Sequence, residues 1–140
     1  MISSMVLVRP AEPADVPQLQ ELRHALWPDC PLDEVPVDPA FVAVGEDGTL
    51  VGFIEMSLRS HAEDCESSPV GYIEGWFVVE PLRRTGIGAQ LVRAAEDWAR
   101  AQGCTEMASD TWLDNTLSQQ AHAALGYEEV ERLVHFRKAL

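Results

Sequence analysis

The stretch "VVEPLRRTGIGAQLVRAAEDW", Val78 to Trp98, decides the fold. The strand-like run "GWFVV" ends just before Pro81, and Arg83, Arg84, Gly86 and Gly88 follow. Ile87, Leu91, Val92, Ala95, Trp98 and Ala99 then recur every three or four residues, the spacing of a helix with one buried face. The pattern predicts a helix over residues 86–102, closed by Gly103. A strand therefore runs through a glycine turn straight into a helix. The first turn of a helix leaves backbone N–H groups without internal acceptors, and the helix dipole adds positive potential there. With two guanidinium groups beside it, such a turn makes a cradle for a pyrophosphate. A plain turn with surface arginines accounts equally well for the loop taken alone.

Outward from this junction, the rest of the chain alternates strands and helices. "MVLVR" (5–9) reads as a strand and residues 13–27 as a helix, with Val16, Leu19, Leu22, Leu26 and Trp27 on one face. Asp15 falls in its first turn, where a carboxylate suits the dipole. Residues 28–39 carry four prolines and four acids and read as a loop. Residues 40–60 read as a hairpin turning at Asp47-Gly48, 61–69 as a polar loop, and 70–79 as a strand interrupted by Glu74 and Gly75. Residues 104–110 read as a short strand, 115–125 as a helix stopped by Gly126, and 127–139 as a last strand. The order β-α-β-β-β-α-β-α-β predicts an α/β domain, with antiparallel pairing early and parallel pairing late.

The 140 residues, 46% of them hydrophobic, suit one domain over 1–140 with an ordinary core. No stretch reads as a signal peptide or a membrane span. Cys30, Cys65 and Cys104 are scattered and form no CxxC, which points to reduced thiols in the cytoplasm. The net charge of −13 argues against a nucleic-acid partner. It is compatible with simple solubility or with attraction of a cationic ligand. His61, Cys65 and the acids near them match no standard metal-site spacing.

The Walker phosphate-loop pattern is absent, because no Lys-Ser/Thr follows the last glycine, and GxGxxG fits poorly. The form R-x-x-G-x-G at a strand-to-helix junction, with the element order above, resembles the GNAT superfamily of N-acetyltransferases over essentially the whole chain. "ELRHALWP", "SSPV…IEGWFV" and above all "GCTEMASDTWLDNTLSQQAHAALGYEE" resemble its aminoglycoside 6′-N-acetyltransferases. The resemblance implies a mixed, mostly antiparallel sheet with helices on both faces and two splayed central parallel strands. It implies acetyl-CoA as co-substrate, no metal, and a homodimer in which "VHFRKAL" could pair across a two-fold axis. It places Trp27, Glu74 and Asp110 at the acceptor site. Cofactor contacts fall on Phe77, Val78, Val79, Arg83, Arg84, Gly86, Ile87, Gly88 and Asn115.

His122 stands where many GNAT enzymes carry the tyrosine that protonates the departing thiolate. A surface histidine is an equally good account of it. Glu74 could lie on a solvated strand face, Asp110 could be a turn or N-cap residue, and Trp27 could be core. The expected reaction is direct acetyl transfer to a primary amine of a polycation, with Glu74 or Asp110 binding the ammonium and helping remove its proton. The acidic loops, with Asp29, Asp33, Glu34, Glu63 and Asp64, are expected around the acceptor mouth. Another amine acceptor, or a module that binds acetyl-CoA without turnover, are the alternatives.

Overall fold

The computed structural model describes residues 6–29 and 35–140. Cys30, Asp33 and Glu34 lie outside the described residues. Five strands, β1 (Leu7–Pro10), β2 (Ala40–Val44), β3 (Leu50–Arg59), β4 (Val70–Val78) and β5 (Met107–Ser109), form one sheet in chain order. Neighbours pair antiparallel except β4 and β5, which run parallel. That single parallel pair follows from the helix between them, since a crossover returns the chain in the same direction.

Three helices complete the fold: α1 (Val16–Leu26), α2 (Ile87–Ala101) and α3 (Thr116–Ala124). A 3-10 turn at Pro13–Asp15 opens α1. Asp15 is buried there, held by Arg9 at 2.8 and 2.9 Å and by the Glu12 N–H at 2.7 Å. Its role is a fixed hydrogen-bonding anchor more than a dipole partner. α2 lies on one face of the sheet. Its Ile87, Leu91, Val92 and Ala95 pack on Ala43, Ile54, Met56, Ile73 and Val78. α1 covers the other face, with Leu19 and Leu22 on Val42, Leu50 and Phe53. The central strands β2, β3 and β4 send residues into both of these cores, as a doubly covered sheet requires. Among the described residues no helix is long and apolar enough to cross a membrane.

The last predicted strand is not present. Residues 128–140 form no strand or helix, and Leu133, Val134 and Phe136 are exposed, Phe136 by 93%. Alternating side chains describe two faces, but a strand also needs a neighbouring backbone to complete its ladder. Among the described residues none pairs with this tail.

Candidate active site

The parallel strands stay together only briefly. Gly71, Tyr72 and Ile73 pair with Met107, Ala108 and Ser109, and beyond Ile73 β4 has β3 on one side and no strand on the other. Backbone donors and acceptors of 74–78 therefore face an opening. Such an edge can take up an extended, amide-bearing ligand as though it were a strand.

The glycine turn stands at one end of the opening. Val79 leads into a 3-10 turn at Glu80–Leu82, and Arg84 and Gly86 then take left-handed backbone, with φ of 64° and 93°. Gly86 is the N-cap of α2 and offers no side chain, so the amides of Ile87, Gly88 and Ala89 are left for a ligand. The expected contacts divide here. Arg84 is exposed at the turn. Arg83 folds back, its Nε donating to the Val78 carbonyl at 2.9 Å and its guanidinium lying 5.4 Å from the Phe77 ring. Ile87 is fully buried, so only its backbone could meet a ligand. A Cβ on Gly88 would sit 3.2 Å from Trp76, so that glycine lets the helix start close against the indole.

Midway along β4, a one-residue bulge re-aims the strand. Glu55 pairs with Gly75 and Met56 with Ile73, leaving Glu74 as the extra residue. Regular alternation would put Glu74 on the side of Trp76. The bulge instead turns it toward Tyr72, Ser57 and Arg59. Glu74 accepts from Ser57 Oγ and, through both oxygens, from Arg59 Nε at 3.0 Å and Nη2 at 2.8 Å. The Arg59 guanidinium lies 3.5 Å over the Tyr72 ring. Tyr72 in turn donates its hydroxyl to Asp110 at 2.6 Å. Burial, then the Asp110 carboxylate, pushes the Tyr72 phenol well above its ordinary range, so it stays a donor. Asp110 is thus neither an N-cap nor a turn residue. The cap of α3 is Asn115, whose Oδ1 accepts from the Ser118 N–H at 3.0 Å.

Trp27 ends α1 with its ring against β4. A Cβ added to Gly75 would fall 2.5 Å from Trp27 Cη2, so the missing side chain is the indole's seat beside Glu74. The ring also meets Phe53 edge-on and lies 5.3 Å from the Arg23 guanidinium. Arg23 donates to Glu55 at 2.8 Å in a pair that is almost wholly buried. Burial pushes the Glu55 carboxyl up to about 7, against the pull of Arg23 and with a push from Glu74.

His122 approaches the opening from the α2 side. Its Nδ1 donates to the Ser118 carbonyl at 2.7 Å, which leaves Nε2 to accept from Ser109 Oγ at 2.8 Å. Trp76 and Tyr127 meet the imidazole edge to face. The structure therefore gathers Trp27, Glu74 and Asp110 on the α1 side and His122 on the other. The opened β4–β5 gap lies between the two groups. Sequence reasoning missed Arg59, Tyr72, Ser57 and the Arg23–Glu55 pair. One signal was available: Glu55, Ser57 and Arg59 put three polar side chains at period two on one face of an otherwise apolar strand. Among the described residues no group of three or more His, Cys, Asp or Glu is placed to hold a metal.

Residues 8–127 match the model of the acetyltransferase (GNAT) family. The chain is 43% identical to an aminoglycoside N(6′)-acetyltransferase type 1 of Klebsiella aerogenes, over 99% of this chain and 100% of that one. It is 42% identical to one of Stenotrophomonas maltophilia, over 100% and 97%. In three dimensions it superposes on AAC(6′)-Iy in complex with the bisubstrate analogue CoA-S-monomethyl-acetylneamine. The TM-score is 0.85 at 37% identity, covering 96% of this chain and 99% of that one. AAC(6′)-Ih from Acinetobacter baumannii gives 0.86 at 34%, with the same coverage.

Proposed function

The chain belongs to the acetyltransferase (GNAT) family, and on that premise we propose that it moves acetyl from acetyl-CoA to the 6′-amine of an aminoglycoside. The observation that carries this reading is the parting of β4 and β5 after Ile73, with the glycine turn at one end and Glu74 beside the gap.

Acetyl-CoA supplies the activated acyl group. The amides of Ile87, Gly88 and Ala89, with Arg84, hold its pyrophosphate. The backbone of 74–78 pairs with its pantetheine amides, and a β4 N–H polarises the thioester carbonyl. Phe77, Val78 and Val79 line this track, and Arg83 stiffens its end. Asn115 holds the start of α3 beside it. Trp27, Glu74 and Asp110 receive the acceptor. Glu74 or Asp110 binds the incoming ammonium and takes its proton through water, freeing the nitrogen lone pair. The nitrogen bonds to the acyl carbon, the C–S bond breaks, and the proton that the nitrogen then sheds passes by way of His122 Nε2 to the departing sulfur. Most of the acceleration comes from holding amine and thioester together, a term of about 7–11 kcal/mol at most.

We further assign the protein to the cytoplasm as a single-domain homodimer, in which the exposed Leu133, Val134 and Phe136 of the tail lie against a second copy. A net charge of −13 favours cationic small molecules over nucleic acid. The decisive experiment follows thiol release with kanamycin and with spermidine, and locates the acetyl group by NMR. The expected product is 6′-N-acetylkanamycin. Binding of acetyl-CoA with no thiol release on any aminoglycoside refutes the reading.

A further inference from the structure

Two arginine–glutamate pairs stand side by side at the acceptor face, and they differ in kind. Arg23 and Glu55 are buried, with side chains 10% and 7% exposed. Arg59 and Glu74 are open to water, at 42% and 33%. Arg59 is the last residue of β3, so its side chain can swing away without disturbing the strand. An exposed pair of this type gains little from its Coulomb attraction and costs side-chain freedom to hold. It is therefore the pair that another cation can open.

What Arg59 occupies is the place expected for that cation. Its guanidinium uses both oxygens of Glu74 and lies over the Tyr72 ring, whose hydroxyl donates to Asp110. Carboxylates and an aromatic face are what a substrate ammonium would seek. Resting on the acceptor assignment above, we propose that Arg59 is a placeholder cation: acceptor ammonium groups bind by taking over its contacts with Glu74 and Tyr72. The consequence is selectivity. A monoamine must displace a full guanidinium with one charge. An acceptor with several ammonium groups engages Asp110 as well, and so meets the same barrier with more contacts. Displaced Arg59 remains at the mouth, where it repels acceptors that leave the carboxylates unfilled.

The opposite role, a clamp that holds Glu74 in working position, predicts effects of opposite sign, so one substitution separates the two. Arg59→Met keeps the apolar stem over Tyr72 and removes the charge. As a placeholder's loss, it lowers the KM for kanamycin by about two- to fivefold, a scale set by the modest strength of exposed pairs. It raises kcat/KM for spermidine and for a monoamine by more than for kanamycin, and leaves the KM for acetyl-CoA within about twofold. Arg59→Lys, which cannot bind both oxygens in one plane, falls between. A kanamycin KM that rises or stays put in Arg59→Met overturns the proposal. The Arg59 Nε–H resonance, assigned by its loss in Arg59→Lys, gives a readout that does not need turnover. Kanamycin should shift it and coenzyme A alone should not. If wild-type protein turns over no aminoglycoside yet kanamycin or spermidine displaces the resonance, the placeholder stands and the acceptor assignment falls. If turnover is present and neither amine moves the resonance, the placeholder falls.

Discussion

Substituting Glu55 by glutamine tests whether burial or ion pairing governs the Arg23–Glu55 site. The Glu55 carboxyl is raised from 4.5 to about 7, and burial is the largest cause. Below pH 4.5 it is neutral in both folded and unfolded chains and costs nothing. Between about 4.5 and about 7 the unfolded chain ionises and the folded one resists, so stability falls as pH rises through that window. At about 1.4 kcal/mol per unit, the loss approaches about 3 kcal/mol by pH 8. Asp15 shifts the other way, held low first by its hydrogen bond with Arg9, and its contribution is complete well below pH 5. Glutamine keeps the shape and can still accept from Arg23, but never ionises. The variant should match wild type to within about 1 kcal/mol at pH 5 and exceed it by about 2–3 kcal/mol at pH 8. Urea unfolding at both pH values, read as a shift in midpoint at unchanged slope, measures this directly. A variant less stable than wild type at pH 8 refutes the reasoning. It would mean that the attraction of Arg23 outweighs desolvation, and that the site behaves as a buried pair whose breaking costs about 3–5 kcal/mol.

Three further substitutions probe β4 and the glycine turn beyond it. Gly75→Ala drives a methyl to 2.5 Å from Trp27 Cη2 and should cost about 1–3 kcal/mol by overpacking. It should raise the acceptor KM while sparing that for acetyl-CoA, both readable from steady-state kinetics. Gly86→Ala meets no neighbouring atom, but its φ of 93° costs an alanine about 1–2 kcal/mol. Calorimetry should find weaker binding of coenzyme A and thermal melts a lowered midpoint, with acceptor KM unaffected. Tyr72→Phe removes the donor to Asp110 and should raise the acceptor KM about fivefold, the equivalent of one hydrogen bond of about 1 kcal/mol. An unchanged KM would show that Asp110 is positioned without it.

The two halves of the site were unequally legible, for a physical reason. The glycine turn and α2 are made by consecutive residues. Backbone conformation, helix periodicity and the unpaired amides of the first turn all follow from local sequence, so the turn from Arg83 to Gly88 can be read there, although a plain surface turn reads the same way. The proposed acceptor face is assembled across strands. Nothing in "YIEGW" says that Glu74 is an extra residue, because a bulge exists only relative to a partner strand. Without it, Glu74 would share a side with Trp76, and the carboxylate would point away from Tyr72 and Arg59. Gly75 looked like punctuation in a strand, yet its reason is Trp27, 48 positions earlier in the chain. Arg59 was visible only as one polar residue in a period-two series, a pattern that a solvated face writes just as well. The tail carries the same ambiguity further. It reads as a strand, but among the described residues no strand pairs with it. Pattern specifies which way side chains face; pairing specifies what they face, and in this chain the proposed acceptor face depends on the second.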